Sequence, residues 1–158
     1  MPDTMKIRPM VNADLARVYE IEQESFPSPW SMKMLEEELL LEHSLSLALE
    51  EENTLKAYLF VRTVADEMHI VNLAVDTRER KKGFAALLIK ETLARSRATG
   101  AKYIFLEVRT TNLAAIRLYE KFGFRILRMR SRYYEDSSDA YEMALVIDDE
   151  LGEIHDDS

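Results

Sequence analysis

The sequence predicts a single mixed α/β domain. Its 158 residues are enough for one substantial core and too few for two comfortable ones. Apolar stretches with the alternation of strands are interleaved with stretches of helical spacing, and no internal repeat or linker separates them. The predicted order of elements is β-α-α-β-β-β-α-β-α-β-β.

One strand and two helices are predicted at the N-terminal end. Lys6–Met10 is predicted as a strand, and Asn12 as the N-cap of a helix over ADLARVYEIEQESF, whose apolar residues form one stripe. Pro27 and Pro29 end this helix, because two prolines within three residues cannot continue it. Ser31 is the predicted cap of a second helix, SMKMLEEELLLE.

The connection between these helices, Phe26–Trp30, contains two prolines and the only tryptophan of the chain. One interpretation is a loop that is clamped on the core. The other is an apolar wall for a substrate, formed by Phe26 and Trp30. We favour the first on the residues alone.

Three strands are predicted in the middle of the chain. Ser44–Glu50 alternates as a half-buried strand does, and Glu50–Thr54 is a polar hairpin turn. Leu55–Val64 and Met68–Val75 are longer strands, predicted to be antiparallel neighbours joined at Asp66 and Glu67.

Two helices and three strands are predicted in the second half. A helix over Gly83–Thr99 ends at Gly100, a good C-cap. The apolar strand Lys102–Arg109 is predicted to be buried on both faces. Asn112 caps the helix LAAIRLYEKF, which Gly123 ends. The last two strands are predicted at Phe124–Met129 and Ala140–Ile147.

The segment VNLAVDTRERKKGFAA (71–86) has the pattern of an anion-binding site. A strand leads through a loop with four basic residues into Gly83 and the start of a helix. The first N–H groups of a helix have no partner within it, and Gly83 lets a phosphate approach the backbone closely. A charged turn with a permissive glycine explains the same residues, so the pattern alone leaves both interpretations open.

The acidic residues are concentrated near the C-terminus. The net charge is −8, but residues 135–158 hold ten acidic residues and no Lys or Arg, which leaves 21 basic against 19 acidic residues before them. We therefore predict one domain over 1–147 and a solvated acidic tail over 148–158. Nucleic-acid binding gains little support, because a short anionic ligand explains the basic cluster at 78–82 equally well.

Several kinds of site are not expected. The chain has no cysteine, which excludes a disulfide, a thiol nucleophile and a cysteine-ligated metal. His43, His69 and His155 have no ligand spacing, so no metal is expected. No apolar run approaches the roughly 18 to 20 residues of a membrane span, and MPDTMKIRPM lacks the core of a signal peptide. We expect a cytoplasmic protein without a membrane partner.

Glu107 interrupts an apolar strand. A carboxylate there must be partnered, face a cavity or have a raised pKa, because an isolated buried charge is costly. Tyr119 follows in the next helix, and a carboxylate base and a phenol acid that face one cleft could move protons. A salt-bridged glutamate and a core tyrosine are the alternative, which these two residues alone favour.

Several motifs together resemble the GNAT acetyltransferases. NLAVDTRERKKGFAALLIK and LEVRTTNLAAIRLYEKFGF are similar to the family's acetyl-CoA-binding and catalytic segments. Arg80, Gly83 and Ala85 match its phosphate loop, [RQ]-x-x-G-x-[GA]. FPSPWS, LEVR and the RYY and DAYEMAL segments resemble the N-terminal (Nα) acetyltransferases, particularly the ribosomal-protein-alanine (RimI-type) class. The similarity covers residues 6–147.

This resemblance implies a mostly antiparallel twisted sheet of about seven strands, flanked by four helices. It implies acetyl-CoA as co-substrate, no metal, Glu107 as general base and Tyr119 as the acid that protonates the departing thiolate. Tyr133 and Tyr134 match an aromatic pair near the peptide entrance. If the connection before the second helix is a substrate wall, Phe26 and Trp30 are further substrate contacts. The coenzyme contacts that it implies are Leu73, Ala74, Val75, Arg80, Lys81, Lys82, Gly83, Phe84, Ala85, Ala86 and Asn112. Phe84 is bulky for this loop, so its side chain must point into the core.

The implied activity is acetylation of a protein N-terminus, most simply a ribosomal protein that starts with alanine or serine. Within the same family, an enzyme for a small-molecule amine or a lysine side chain is the alternative. A non-catalytic acyl-CoA-binding module is a third possibility, disfavoured by the presence of both Glu107 and Tyr119.

Overall fold

The computed structural model describes residues 4–148 and 153–155. The helices are α1 (Leu15–Ser25), α2 (Met32–Leu40), α3 (Phe84–Thr99) and α4 (Leu113–Lys121). The strands are β1 (Met5–Pro9), β2 (Ser44–Glu51), β3 (Thr54–Val64), β4 (Glu67–Val75), β5 (Tyr103–Arg109), β6 (Arg125–Arg130), β7 (Ala140–Asp148) and β8 (Glu153–His155). Single 3₁₀ turns lie at Asn12–Asp14 and Thr77–Glu79. The first eleven helices and strands follow the predicted order, which confirms the mixed α/β class.

Two compact units make up the chain, and β4 contributes residues to both. The first unit consists of Met1–Arg62 and Val71–Thr92, and the second of Thr63–Ile70 and Leu93–Ser158. The single domain over 1–147 stays a prediction.

The first unit contains an antiparallel run of strands. β1 pairs with β2 from Met5 opposite Glu51, and β2 pairs with β3; β4 is the next strand. Its core combines the apolar stripe of α1 with side chains from α2 and the strands, because each element has one apolar face to remove from water. The largest members are Ile21, Leu35, Tyr58 and Phe60.

The second unit contains the one parallel pair whose register is defined. Residues 67–70 of β4 run parallel to residues 103–106 of β5. β5 pairs with β7, and β7 with β6, both antiparallel. The sheet is therefore mostly antiparallel, as the resemblance implied.

The prediction that β5 is buried on both faces is wrong. Ile104, Leu106 and Val108 are buried, whereas the alternate residues, Glu107 among them, are only half-buried or exposed. An apolar run does not distinguish these cases, because Tyr103 and Phe105 are apolar enough to extend it on the more open face.

The predicted N-cap of the first helix is also wrong. Asn12 lies inside the 3₁₀ turn, and the Asp14 carboxylate accepts the Val11 N–H at 2.8 Å. Arg8 binds both carboxylate oxygens of Asp14 at 2.8 Å, which fixes this side chain from β1. The predicted caps Ser31 and Asn112 are confirmed, because each accepts an N–H from the first turn of its helix.

Part of the predicted tail has secondary structure. β8 pairs antiparallel with β7, with Ile147 opposite Ile154. The remaining tail residues, 149–152 and 156–158, lie outside the described residues. In the described part of the chain, no helix has both the length and the apolar character needed to cross a bilayer.

Candidate active site

The loop from β4 to α3 exposes the N-terminus of a long helix. After the Thr77–Glu79 turn, the chain reaches Lys81 and Gly83 with φ of 68° and 84°, and α3 starts at Phe84. The Leu87 N–H makes the first helical bond, 3.1 Å to the Gly83 carbonyl. The N–H groups of residues 84–86 therefore have no partner inside the helix, which is the arrangement that binds anions.

Gly83 leaves space in front of this helix. A Cβ atom on Gly83 would meet no heavy atom of the protein within 4 Å, so packing does not require glycine there. Its positive φ favours glycine, and the open space lets a ligand approach the backbone. The Phe84 side chain is 3% exposed, which confirms that it points into the core.

Asp76 anchors the start of the loop. Its buried carboxylate accepts the Arg78 N–H at 2.9 Å and binds the guanidinium groups of Arg78 and of Arg17 on α1. The hydrogen bonds from Arg78 and Arg17 lower the pKa of Asp76 well below its ordinary value, although burial opposes this effect. The loop is thus tied to α1 by a charged contact.

The basic side chains of the loop are partly engaged. Glu79 binds Lys56 of β3 at 2.5 Å and also Lys82, and these hydrogen bonds lower the pKa of Glu79. Arg80 Nη2 lies 3.4 Å from Ser25 Oγ at the end of α1. Lys81 is exposed and makes no ion pair with the residues that the structure describes. The loop therefore has positive charge available to an anionic ligand.

Leu73–Val75, which are predicted to face the thioester, are the last three residues of β4. Ala74 is buried, while Leu73 and Val75 are half-buried. The register of β4 with β5 is defined for residues 67–70, so these three residues lie beyond the parallel-paired part of the strand.

Glu107, in the second unit, is an ionised carboxylate with two hydrogen-bond donors. Its side chain is 10% exposed, and Oε1 lies 2.6 Å from His69 Nε2 and 3.3 Å from the Tyr133 hydroxyl. Burial raises the pKa of Glu107, but the His69 and Tyr133 hydrogen bonds and the charge of Arg130 outweigh it and lower the pKa. Glu107 can therefore accept a proton at neutral pH.

His69 is the site residue that the sequence analysis missed. In the parallel pair, His69 lies opposite Phe105, and Glu107 follows two residues later on the same face. Diagonal neighbours on one face of a sheet are close enough for long side chains to touch. The sequence offers no signal for this contact beyond the place of His69 in a predicted strand. The register between two strands cannot be read from the sequence of either one.

Tyr133 and Tyr134 are adjacent and are fixed by arginines. Their ring centroids lie 4.9 Å apart, nearly perpendicular. The Arg109 guanidinium lies 4.1 Å from the centre of the Tyr134 ring and binds Asp136 at 2.9 Å. Burial raises the pKa of Tyr134 to about 12. The pair thus presents protonated hydroxyls on a loop that is anchored to β5.

Tyr119 lies in α4 and is 8% exposed, with its ring 5.7 Å from that of Phe124. Burial, and then the neighbouring Tyr134, raise the pKa of Tyr119, so its hydroxyl stays protonated. Its hydroxyl makes no side-chain hydrogen bond within the described ranges. It is not among the fully buried polar atoms that lack a partner, so the hydroxyl keeps some access to solvent. No hydrogen bond joins it to Glu107 in those ranges; Tyr133 is the predicted site residue that does contact Glu107.

Phe26 and Trp30 lie against the core of the first unit and remain partly exposed. The Trp30 ring is 5.6 Å from that of Phe60. Packing on the core supports the clamped-loop interpretation, and the exposed part of each ring is accessible to a substrate. The described residues contain no group of three or more side chains suited to holding a metal ion.

Comparisons with known proteins agree with this geometry. Residues 15–124 match the family model described as "Acetyltransferase (GNAT) family". A relative from Haemophilus influenzae, named ribosomal protein bS18-alanine N-acetyltransferase, is 35% identical over 134 residues, which cover 85% of this chain and 90% of the relative. The chain therefore belongs to the GNAT acetyltransferase family.

Two solved structures show the same fold. The ribosomal-protein-S18-alanine N-acetyltransferase from Escherichia coli has a TM-score of 0.83 at 32% identity, over 89% of this chain and 92% of that chain. Arabidopsis thaliana NAA60 in complex with acetyl-CoA has a TM-score of 0.82 over 91% of this chain and 99% of that chain. Its identity is 22%, so this second likeness concerns the fold alone.

Proposed function

We propose that this protein transfers the acetyl group of acetyl-CoA to the free N-terminal α-amine of a protein in the cytoplasm. The observation that supports it most is Glu107, held ionised by His69 and Tyr133 on the strand that matches the family's catalytic segment. The names of the relatives support a ribosomal protein that begins with alanine as the substrate; a substrate that begins with serine is part of the proposal on the family resemblance alone.

The coenzyme would bind at the loop before α3. The free N–H groups of residues 84–86 and the space at Gly83 suit a pyrophosphate, with Arg80, Lys81 and Lys82 adding positive charge. The backbone of Leu73–Val75 would polarise the thioester carbonyl. Asn112, whose side chain caps α4, would contact the coenzyme arm.

The acceptor amine sets the strength of base that is needed. An α-amine has a pKa near 8, so about one molecule in ten is neutral at pH 7, against about one in 2500 for a lysine with a pKa near 10.4. A carboxylate with a lowered pKa, such as Glu107, is too weak a base to deprotonate much of either ammonium form, so the reaction depends on amine that is already neutral, which favours the α-amine. The neutral amine attacks the thioester directly, and Glu107 takes the proton that the nitrogen then loses, directly or through water.

The leaving group needs a proton when the carbon–sulfur bond breaks. Tyr119 would supply it, because its hydroxyl stays protonated and has no other hydrogen-bond partner in the described chain. Tyr133 and Tyr134 would hold the peptide backbone through their hydroxyls, and Phe26 and Trp30 would contact its first side chain. Catalysis would then come mainly from the placement of two bound reactants.

The test is release of CoA in the presence of a short alanine-starting peptide. An N-terminally blocked peptide with a lysine, and spermidine, are the controls. We expect release with the free N-terminus alone. Release only with a control would contradict the proposed substrate, and acetyl-CoA binding without release in any mixture would support a binding module instead.

A further inference from the structure

Glu22 is a buried carboxylate that the proposed chemistry does not use. It lies on α1, is 1% exposed and makes no ion pair with the described residues. Its Oε1 accepts the Tyr58 hydroxyl at 2.5 Å and Asn72 Nδ2 at 2.8 Å, and its Oε2 accepts the Trp30 N–H at 2.9 Å. Each donor is neutral, and each comes from a different element: β3, β4 and the connection before α2.

The connection Phe26–Trp30 is fastened at both ends to this one residue. The Glu22 carbonyl accepts the Phe26 N–H at 3.2 Å, and its carboxylate accepts the Trp30 N–H. Pro27 and Pro29 have no N–H to donate, so the connection has few amides of its own with which to fix its conformation. The first of these contacts is the last helical hydrogen bond of α1, which any residue at this position would make, whereas the second depends on the Glu22 carboxylate.

The same residue reaches the strand that leads into the coenzyme loop. Asn72, which Glu22 holds, comes immediately before the proposed thioester-facing residues. Ser25, one turn beyond Glu22 on α1, contacts Arg80 in the loop. Within the first unit, Glu22 thus links the connection to the end of β4.

A buried carboxylate without a cation is expensive, and a hydrocarbon side chain would fill the space more cheaply. What a hydrocarbon cannot do is accept the Trp30 N–H. We propose that Glu22 is a positioning residue, which fixes Trp30 and thereby sets the affinity for the N-terminal residue of the peptide. This inference rests on the proposed function, in which Trp30 contacts that residue.

Two variants of Glu22 distinguish the loss of its hydrogen-bond acceptor from a change in side-chain volume. Glu22→Met keeps the size of the side chain and replaces both carboxylate oxygens by a thioether, whose sulfur is only a weak acceptor, and we expect the KM for an alanine-starting peptide to rise about tenfold. The Kd for acetyl-CoA should stay within about twofold of the wild-type value. Glu22→Gln keeps an oxygen for the Trp30 N–H. Its amide can donate to the Tyr58 hydroxyl oxygen and, once the Asn72 side-chain amide turns over, to Asn72 Oδ1, so this variant should restore the KM.

Tyr58→Phe is the matched control, because it removes a donor to Glu22 and leaves the Trp30 contact. We expect an unchanged peptide KM. Trp30 is the only tryptophan, so intrinsic fluorescence reports on the connection directly. Iodide should quench it more in Glu22→Met than in the wild type, Glu22→Gln or Tyr58→Phe.

A wild-type peptide KM and unchanged quenching in Glu22→Met would overturn the inference. A rise in the acetyl-CoA Kd of Glu22→Met as large as the rise in its peptide KM would overturn it too. So would an equally raised peptide KM in Tyr58→Phe, because either result indicates a destabilised fold and not a displaced Trp30. If Glu22→Met does not fold, Glu22→Asp, whose carboxylate is one methylene too short to reach all three donors, is measured in its place with the same expected results. If the wild type acetylates no peptide, the proposed function fails, and quenching still decides whether Glu22 holds Trp30.

Discussion

At the scale of single residues, the structure explains why Glu107 is ionised although it is largely buried. Burial alone would raise its pKa, and the donors His69 and Tyr133 reverse that effect. The sequence indicated the carboxylate because it interrupts an apolar strand. It did not indicate His69, whose role depends on how β4 and β5 are aligned.

Replacing Glu107 by glutamine removes the base and keeps the shape of the side chain. We expect kcat to fall by about 10²- to 10³-fold, with the acetyl-CoA Kd unchanged, because proton transfer is lost and coenzyme binding is not. Steady-state kinetics and calorimetric titration measure the two quantities.

Glu142→Gln is the control for this variant. Glu142 lies opposite Glu107 on β7, where it pairs with Arg128 and Arg130. The Glu142→Gln variant should keep nearly the wild-type kcat. If Glu107→Gln kept full turnover at several pH values, Glu107 would have no part in the mechanism.

The pH dependence of kcat/KM should follow the acceptor amine. Because the pKa of Glu107 lies below its ordinary value of 4.5, its protonation causes no loss of activity above about pH 5. Activity should instead rise with pH up to the α-amine pKa, near 8. His69→Phe removes the hydrogen bond that lowers the pKa of Glu107, while burial still raises that pKa. The loss of activity on the acid side should therefore occur at higher pH than in the wild type. Identical profiles for the two proteins would exclude His69 as the group that keeps Glu107 ionised.

At the scale of elements, predictions that depend on local signals were the accurate ones. Ser31 and Asn112 cap their helices, and Gly100 follows the end of α3 with φ of 77°, since caps are determined within one turn. Asn12 failed as a cap because Arg8, on a different element, fixes Asp14. The predicted burial of β5 on both faces failed for a similar reason, because the exposure of a strand depends on what packs against each of its faces.

Gly83 and Gly100 give a matched pair for testing the coenzyme loop. Both have positive φ, and a Cβ atom would meet no protein atom within 4 Å at either position. Alanine should therefore cost each about 1 kcal/mol of stability through backbone conformation. Only Gly83→Ala should weaken acetyl-CoA binding, by tenfold or more, because its methyl group enters the space proposed for the pyrophosphate. Equal Kd values for the two variants, by calorimetric titration, would contradict the proposed position of the coenzyme.

At the scale of the whole molecule, charged contacts make stability depend on pH. Asp14, Asp76, Glu79 and Glu107 have lowered pKa values in the folded chain. A lowered folded pKa stabilises the fold fully above the unfolded pKa, near 4, and this contribution is lost progressively as the pH falls from there through the folded pKa.

The family and the activity class followed from motifs spread over most of the chain, whereas substrate choice depends on side-chain positions that no motif specifies.

The buried Asp76 should account for part of this acid sensitivity. We expect Asp76→Asn to lower the free energy of unfolding by about 2 kcal/mol at pH 7 and to weaken its decline between pH 5 and 3. Glu20→Gln is the control, because Glu20 pairs with the same Arg17 at an exposed site and should change stability by less than about 0.5 kcal/mol. Urea titrations at several pH values measure both. An unchanged pH dependence in Asp76→Asn would show that this carboxylate is not a source of it.

The most direct test of the central claim uses one peptide that contains both kinds of amine. An alanine-starting peptide with an internal lysine is incubated with the protein and acetyl-CoA, and mass spectrometry locates the acetyl group. Our account predicts acetylation of the N-terminal nitrogen and an unmodified lysine, because Glu107 is a base suited to an α-amine. Acetylation of the lysine with a free N-terminus would contradict it.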